Sequence, residues 1–510
     1  MEVNVLIKIR YGRKLILLTM ISCILLLSAV GAKLKMFQTV ITTFYGEKLL
    51  NTKQINKYTI IADFDPVERI LTGDENVTYT NNSSITFNAL YFHLYPNAFK
   101  SEETAPFEKG EMQLAYPNGF EPGYIRINSI QNNREALNYV IMGMGDNILK
   151  VYLNKPLEPG KKISLNIDFS VKIPPSCGRF GYGENTINIA NWYPILAVFD
   201  HKGWNLEPYY AIGDPFYSDI ANYRVEISMP KEYILAHSGN CIKKESIDGK
   251  IRWTLEANKV RDFAIVASDK FKVIDDEIDG IKIYSYYFED KFGDIALDTA
   301  KDAIKIFNQL YGEYPYKQFS VAASDFFVGG MEYPNLVFID QSLYREETKK
   351  ILEYVIAHET AHQWWYGIVG NDQVDEAWLD EGLTEYSTLL YYEKKYGAKK
   401  RDEIYKDFIL KYYHAYTNTQ QNKNSATYRS INQFKDAQEY QVLVYYRGAM
   451  FIKDLREKLG DELFFKILKV YFDKYKYKNA NTENFIEVCE QISNQKLREN
   501  FRKWIRYEKE

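Results

Sequence analysis

The sequence predicts an α+β protein in which an antiparallel β domain precedes a mainly helical domain. Three observations support this prediction. Between about residues 58 and 270, apolar and polar residues alternate in short runs, the pattern of strands with one buried face. From about residue 295, apolar residues recur at helical spacing. Beyond residue 346, nearly every segment keeps that helical spacing. We therefore expect the body of the chain to divide near residue 272.

The clearest strand of the β-rich part is ISLNIDFSV, which runs from Ile163 to Val171. Its odd-numbered residues are all apolar and its even-numbered residues are all polar. The segments YRVEISMP (223–230) and LYFHLYP (90–96) follow the same alternation, and Gly, Pro and Asn clusters separate the runs. We assign residues 38–271 to this antiparallel β domain.

The helical part begins with the segment DIALDTAKDAIKIFNQLYGEYP (294–315). Its apolar residues predict a helix that ends at Gly312, ahead of Pro315. A short apolar run, FSVAAS (319–324), predicts a strand after that helix. We assign residues 272–510 to this second domain.

The N-terminal residues 1–37 combine a basic stretch with an apolar run. The run from Leu15 to Ala32 holds eighteen residues without a charge, and Lys8, Arg10, Arg13 and Lys14 precede it. This length fits a short membrane span or a long signal-peptide core. Basic residues before a span stay in the cytoplasm. We expect a transmembrane signal anchor, with a single pass through the cell membrane and the catalytic body outside the cytoplasm. A cleaved signal peptide and secretion are the alternative.

The overall charge argues against a nucleic-acid partner. The chain has 64 basic and 68 acidic residues, for a formal net charge of -4. Its four cysteines, Cys23, Cys177, Cys241 and Cys489, have no short spacing, so they predict neither a CxxC metal site nor a dense disulfide framework. We expect free buried thiols in the folded body, with a Cys177–Cys241 bridge as the alternative.

The strongest chemical signal is the segment YVIAHETAHQWWYG (354–367). His358 and His362 are four residues apart, so on a helix both imidazoles face the same way and reach one metal ion. Gly367 is expected to end that helix. Glu359 follows the first histidine and is placed to act as a general base beside the metal.

A catalytic zinc ion needs a third protein ligand and an open position for water. The segment DEAWLDEGLTEY (375–386), expected in a helix from Asp375 to Tyr396, offers several carboxylates. Glu381 is favoured because it lies between Trp378-Leu379 and Gly382. The carboxylates that compete with it are Asp375, Glu376, Asp380 and Glu385. The sequence therefore predicts one Zn²⁺ per chain, held by two histidines and a glutamate.

These motifs resemble those of the gluzincin zinc aminopeptidases, the family of aminopeptidase N and leukotriene-A hydrolase. The resemblance lies in HExxH-x18-E with WLDEG, in GGMEYP (329–334), in YQVLVYYRGAM (440–450) and in RDFAIVASDKF (261–271). It implies a saddle-like N-terminal β domain followed by a thermolysin-like, mainly helical catalytic domain. It also implies peptide substrates with a free N-terminus.

The resemblance assigns further roles to single residues. Tyr445, placed by its register to Gly448, is expected to stabilise the oxyanion of the tetrahedral intermediate, although the adjacent Tyr446 is not excluded by sequence. Tyr440 is a second candidate for contact with substrate. Glu359 is expected to be the general base.

The GGMEYP motif is expected to bind the peptide's N-terminus. By resemblance, Glu332 binds the α-amino group, and Gly329 and Gly330 let an extended peptide backbone lie close. Tyr333 stands where the family usually has Asn, so we expect an altered pocket geometry. Glu184 is a candidate for the second amine-binding residue that the family's N-terminal domain supplies.

The function predicted from these residues is that of a zinc metallo-aminopeptidase. A zinc endopeptidase or another zinc hydrolase on the same scaffold is the nearest alternative. A non-catalytic binding module is a further alternative, which predicts loss of the ligands or the base, and all of these are present in the sequence.

Overall fold

The computed structural model describes residues 54–419 and 426–506. The segment 1–37, predicted as a membrane anchor or signal peptide, lies outside the described residues.

Strands dominate the described residues up to Ser268. Their bounds are β1 (Asn56–Asp65), β2 (Ile70–Thr80), β3 (Phe87–His93), β4 (Tyr124–Asn132), β5 (Glu135–Ala136), β6 (Tyr139–Met142), β7 (Ile148–Leu157), β8 (Lys162–Lys172), β9 (Phe180–Tyr182), β10 (Ile187–Ile189), β11 (Ile195–Leu196), β12 (Phe199–Asp200), β13 (Gly203–Trp204), β14 (Ala221–Pro230), β15 (Ile234–His237), β16 (Asn240–Ile247), β17 (Lys250–Val260) and β18 (Ile265–Ser268). One short helix, α1 (Met112–Ala115), interrupts them.

The largest sheet has eight strands in the order β16-β17-β14-β1-β2-β8-β4-β5. Its neighbours are antiparallel except for β1 and β14, which run parallel. Two four-stranded sheets, β15-β18-β10-β9 and β11-β3-β7-β6, complete the β part with the hairpin β12-β13. In β8 the predicted alternation is observed, because Leu165, Ile167, Phe169 and Val171 are buried while the residues between them are more exposed.

Helices dominate the remainder of the described chain. The strands there are β19 (Lys272–Ile278), β20 (Ile281–Tyr287), β21 (Gln318–Ser324), β22 (Gly330–Met331), β23 (Leu336–Asp340), β24 (Val369–Gly370) and β25 (Lys478–Asn479). The helices are α2 (Asp290–Leu310), α3 (Lys349–Ala361), α4 (Trp378–Tyr396), α5 (Ala398–Ile404), α6 (Lys411–Thr419), α7 (Ala437–Tyr440), α8 (Arg447–Leu459), α9 (Asp461–Tyr475), α10 (Thr482–Ser493) and α11 (Arg498–Ile505). π-helical turns at Tyr405–Leu410 and Gln441–Tyr446 join α5 to α6 and α7 to α8.

The predicted fold class, an N-terminal β domain followed by a mainly helical domain, is confirmed. Buried side chains form two cores. The first lies mostly among the strands up to β18 and extends to later residues such as Ala322 and Phe338, and the second lies among the helices and the other face of the later strands. The five strands that follow β18 form a mixed sheet in the order β19-β20-β21-β23-β22, against which α2 and α3 pack. Residues 55–510 pack as one compact unit, so the division at 271/272 stays a prediction.

A buried arginine, Arg261, fastens the two parts together. It donates hydrogen bonds to the carbonyl oxygens of Tyr366 at 2.6 Å, Ser218 at 2.8 Å and Lys478 at 2.6 Å. Gly370 packs against its guanidinium, where any Cβ would collide. A planar group with several donors suits this position, because one side chain satisfies carbonyls from three segments.

The helix that carries both histidines ends earlier than predicted. We expected it to continue to Gly367, but α3 ends at Ala361 with His362 as its cap. Tyr366 has a φ of 117°, a backbone conformation that a helix does not contain. The chain turns there, and Val369 begins the short strand β24.

The localisation predicted from the sequence is corrected. Within residues 54–419 and 426–506, no helix is long and apolar enough to cross a membrane. A crossing needs about 20 mostly apolar residues. The 21-residue helix α2 instead buries Ala300 and Ile304 on one face and exposes Lys305 on another. We therefore do not retain the single-pass anchor, the membrane partner or the secreted alternative. The run from Leu15 to Ala32 itself lies outside the described residues.

The described cysteines are free, so the alternative Cys177–Cys241 bridge is absent from this part of the chain. Cys489 is buried, as expected for a free thiol, whereas Cys241 is exposed and Cys177 is partly buried.

Candidate metal centre and active-site cleft

Three side chains form a compact group of metal-binding atoms. His358 Nε2 and His362 Nε2 are 3.2 Å apart, and Glu381 Oε2 lies 3.4 Å from the first and 3.2 Å from the second. Tetrahedral zinc with bonds of about 2.0–2.1 Å separates its ligand atoms by about 3.3 Å. Glu381 Oε2 is buried with no hydrogen-bond partner among the described residues. The group therefore fits a zinc ion in both spacing and chemistry.

Glycine lets α4, the helix that carries Glu381, lie close to α8. His358 and His362 lie one turn apart at the C-terminal end of α3, and Glu381 lies in the first turn of α4. Helix α8 crosses α4 where Gly382 meets Gly448, and a Cβ placed on Gly448 would be 2.8 Å from the Cα of Gly382. Only residues without side chains allow this close approach.

Further contacts orient the imidazoles. His358 Nδ1 lies 3.0 Å from Glu385 Oε2. His362 Nδ1 lies 3.0 Å from the carbonyl oxygen of Trp365 and 3.1 Å from Thr384 Oγ1. Such contacts fix which ring nitrogen is free to bind metal. Glu385 was one of the alternatives to Glu381 as a ligand. Its carboxylate contacts the ring nitrogen of His358 that faces away from the candidate metal group, and it lies outside that group.

The Glu381 carboxylate and the two imidazoles attract one another. Burial alone would lower the pKa of His358, but the carboxylates of Glu381 and Glu385 beside its ring outweigh burial and raise this pKa to about 10. Burial alone would raise the pKa of Glu381, but the two imidazoles lower it to about 2. The carboxyl is thus held as a carboxylate, the form that binds zinc.

Glu359 lies against β22, the edge strand of its sheet. A Cβ built on Gly330 would be 2.4 Å from Glu359 Oε1, so only glycine lets the strand approach the carboxyl. Glu359 Oε2 is buried without a hydrogen-bond partner among the described residues. Burial raises the pKa of this carboxyl to about 7, although the nearby imidazoles oppose the shift. A pKa near the operating pH suits a general base.

Tyr445, rather than Tyr446, contacts the metal ligands. Its hydroxyl donates to Glu381 Oε1 at 2.7 Å, and its ring stacks on the His358 imidazole with centroids 5.8 Å apart. Tyr446 instead stacks with Tyr412. Tyr440 packs edge-on to Tyr445, with ring centroids 5.8 Å apart. Burial raises the pKa of Tyr445 well above its ordinary value, so its hydroxyl keeps its proton.

Glu332 lies on the side of the metal group where α3 ends. Its Oε1 accepts a hydrogen bond from Gln373 Nε2 at 3.2 Å. Gln373 also donates to Asp380 Oδ2 at 2.7 Å. Carboxylate oxygens of Glu332 and Asp380 lie within 4.8 Å of a ring nitrogen of His362. Burial, and then the charge of Asp214, raise the pKa of Glu332.

Asp214 is a functional candidate that sequence reasoning missed. Its carboxylate lies within 4.8 Å of those of Glu332 and Glu381, and it is paired with the guanidinium of Arg179. It comes from a loop of the β part, where its sequence context is only a Gly-Asp-Pro turn without a metal or amine signature. Glu184, the candidate from sequence, does not line the cleft. Its carbonyl oxygen accepts a hydrogen bond from Lys270.

Tyr333 occupies the position where the family usually has Asn, and its side chain points away from the cleft. It is fully buried, and its hydroxyl donates to Asn191 Oδ1 at 2.9 Å in the β part. Its ring packs on Phe338 with centroids 5.0 Å apart. Tyr333 therefore links the GGMEYP motif to the β core. Its side chain does not line the cleft, so it does not itself reshape the pocket.

A cleft of about 770 Å³ joins these groups. Gly329 and Gly330 line one wall, and β22 is the edge of its sheet, pairing only with β23. An edge strand offers free backbone groups to an extended peptide. The predicted site residues His358, Glu359, His362, Glu381, Glu332, Gly329, Gly330, Tyr440 and Tyr445 all line this cleft.

Comparisons with known proteins agree with this geometry. Residues 295–504 match the Peptidase family M1 domain. Aminopeptidase M1-D of Oryza sativa subsp. japonica is 25% identical over 302 residues, which cover 56% of this chain and 34% of that protein. Glutamyl aminopeptidase of Homo sapiens is 24% identical over 302 residues, which cover 56% and 31%. The chain thus spans about a third of the length of the curated relatives it matches.

Solved structures share the fold over most of the chain. An M1 zinc metallopeptidase from Deinococcus radiodurans superposes with a TM-score of 0.61 at 17% identity, covering 89% of this chain and 93% of that chain. A mutant of an M1 zinc metallopeptidase from the same organism, bound to a Tyr-Ser-Ala substrate, gives a TM-score of 0.60 at 17% identity, with coverage of 89% and 94%. Residues 295–504 therefore match the Peptidase family M1 domain, and the family resemblance, the zinc metallopeptidase class and the zinc cofactor predicted from the motifs are confirmed at the level of that match.

Proposed function

We propose that this protein is a zinc aminopeptidase that removes N-terminal residues from peptides. The observation that supports this proposal most is the buried group of carboxylates beside the metal ligands. Glu332 and Asp214 approach Glu381 within 4.8 Å, and among the described carboxylates Arg179 forms its ion pair with Asp214. Burying several carboxylates together is costly unless a cation joins them. The protonated α-amino group of a peptide is such a cation.

The position of this pocket selects the first peptide bond. In any residue, the α-amino nitrogen and the carbonyl carbon are two bonds apart. A peptide held at Glu332 by its amine therefore presents the carbonyl of its first residue to the metal ligands. Gly329 and Gly330, at the sheet edge, would bind the backbone that follows as an added strand. A solved relative bound to a Tyr-Ser-Ala substrate supports a peptide in a cleft of this fold.

The chemistry is divided among the residues of the cleft. His358, His362 and Glu381 would hold the zinc, which when bound supplies Lewis acidity toward water and the scissile carbonyl. Glu359 would take the proton of the attacking water and pass it to the leaving amine. Tyr445 would donate its hydroxyl proton in a hydrogen bond to the developing oxyanion.

The test of the mechanism is substitution of the base. Glu359→Gln should retain zinc, because no metal ligand is altered, and should lose nearly all turnover of an alanyl anilide. The control is Glu158→Gln, which changes an exposed glutamate outside the cleft. Turnover by Glu359→Gln that matches the control would show that another group is the base.

A second experiment separates an aminopeptidase from an endopeptidase. The wild type and Glu332→Ala are compared on a free-amine peptide and on its N-acetylated form. We expect cleavage of the free peptide alone, with a large rise in KM when Glu332 is removed. Cleavage of the acetylated peptide at a similar rate would favour an endopeptidase instead.

A further inference from the structure

The end of the cleft opposite Glu332 carries an aromatic surface that the proposed mechanism does not use. Four residues form it, and we call them the aromatic shelf: Tyr354, Phe408, Tyr412 and Tyr446. They come from α3, from α6 and from the two π-helical turns beside α6 and α8.

The direction of α3 places the shelf beyond the scissile bond. The C-terminal end of the helix faces the amine pocket, where Gln363 Nε2 donates to the carbonyl oxygen of Tyr333 at 3.2 Å. Val355 and Ile351 line the cleft four and eight residues before Glu359. At 1.5 Å per residue, they lie about 6 and 12 Å back along the axis. An extended peptide advances about 3.3 Å per residue, so its second and third residues lie about 3 and 7 Å beyond the first, and a long side chain on either extends toward the shelf.

The shelf is rigid on one side and open on the other. The Phe408 ring stacks on Tyr354 with centroids 4.5 Å apart and planes 10° apart. The Tyr354 hydroxyl bonds to Glu385, so this ring is held in place. Tyr412 stacks with Tyr446 at 6.2 Å, yet Tyr412 remains 50% exposed and the neighbouring Ile351 41% exposed. Apolar surface of Tyr412 and Ile351 is therefore exposed to solvent within the cleft.

The charges near the shelf favour an apolar occupant. Among the described residues that line the cleft, Arg179 is the one Lys or Arg, and it is paired with Asp214 at the amine end. Glu385, the carboxylate near the shelf, is engaged by His358 and Tyr354. The shelf therefore has no free cation for an acidic side chain, and burying one there would be costly.

We propose that the aromatic shelf is a subsite that selects peptides with a bulky apolar or aromatic residue in one of the two positions after the scissile bond. This proposal rests on the proposed aminopeptidase function, because the positions are counted from an amine bound at Glu332. Stacking on aromatic rings and covering the exposed faces of Tyr412 and Ile351 supply the selectivity.

The experiment measures release of alanine from Ala-Ala-Ala, Ala-Phe-Ala, Ala-Ala-Phe, Ala-Asp-Ala and Ala-Ala-Asp. Burial of part of one aromatic side chain is worth about a tenfold change. We expect kcat/KM for the better of the two Phe peptides to exceed that for Ala-Ala-Ala about tenfold, and the Asp peptides to be poorer. In Tyr412→Ala that ratio should fall toward one, and Ile351→Ala is a second variant that should lower it.

The matched control is Tyr152→Ala, which removes a tyrosine that is 44% exposed outside the cleft. It should leave the ratio unchanged. Equal kcat/KM for all free peptides, or an unchanged ratio in both Tyr412→Ala and Ile351→Ala, would overturn the shelf proposal while leaving the aminopeptidase proposal intact. Failure to release alanine from any peptide, or equal cleavage of acetylated peptides, would overturn both.

Discussion

The crossing of α4 and α8 makes a sharp prediction about Gly448→Ala. The new Cβ would lie 2.8 Å from the Cα of Gly382, whereas carbon atoms pack at about 3.5–4.0 Å. The two helices must therefore part by about 1 Å. Glu381 precedes one glycine and Tyr445 lies three residues before the other, and their hydrogen bond is 2.7 Å long. Lengthened to about 3.7 Å, it is no longer a hydrogen bond.

The expected consequence is a loss of catalysis at retained zinc content. Removal of one oxyanion donor costs about 100-fold to 1000-fold in kcat. We expect Gly448→Ala to lose about 100-fold, because Tyr445 is displaced but still present. His358 and His362, two of the three candidate ligands, lie at the end of α3, which this change does not touch, so zinc should stay bound even though Glu381 shifts. Overpacking should also lower the free energy of unfolding by about 1–3 kcal/mol.

The assay compares kcat for an alanyl anilide, with zinc content, in wild type, Gly448→Ala, Tyr445→Phe and the double variant. If the helix displacement acts through Tyr445, the double variant should be no slower than Tyr445→Phe alone. Gly110→Ala is the control, because a Cβ there meets nothing within 4 Å. A wild-type kcat in Gly448→Ala, or losses that multiply in the double variant, would refute the reasoning.

Three other substitutions test the surroundings of the site. Gly330→Ala should push Glu359 aside and lower kcat about 100-fold, since a displacement of about 1 Å costs that much; an unchanged kcat would mean that the base tolerates movement. Glu385→Ala should weaken zinc binding about 10-fold to 100-fold by releasing His358, as measured by competition with a chelator; unchanged affinity would remove its supporting role. Arg261→Lys should lower the free energy of unfolding by about 3 kcal/mol, because buried carbonyls lose their donors; a melting temperature equal to that of the wild type would contradict this.

The ligand set was predictable because its spacing is local. His358 and His362 are one helical turn apart, so the period of the helix alone places both imidazoles together. Glu381 follows His362 at the spacing of the HExxH-x18-E motif, within a segment that is helical in the structure. Tyr445 was placed only by its register to Gly448. The structure gives that register a physical cause, because the glycine is the point where α8 touches α4.

The amine pocket could not be read in full because it depends on contacts between distant segments. Asp214 reaches Glu332 and Glu381 from a loop of the β part, through folding of the whole chain and not through any local period. The end of α3 was also misjudged, because the chain leaves the helix at His362, where the amides of Gln363 and Trp364 bond to carbonyls three residues back. Neither the Gly213-Asp214-Pro215 turn nor the aromatic run 364–366 predicts, by its sequence alone, which distant residues it will contact.

The β part is therefore a component of the candidate site as well as a neighbour of it. On the N-terminal side of Gly329 and Gly330, Asp325 Oδ2 accepts hydrogen bonds from the backbone amides of Asn185 at 2.6 Å and Thr186 at 2.8 Å. After them, the Tyr333 hydroxyl donates to Asn191. The loop that holds Glu332 is thus fixed at both ends by residues of the β part, which also supplies Asp214. On the proposed function, zinc binding would need only α3 and α4, whereas selection of a peptide's amine would require both parts of the fold together.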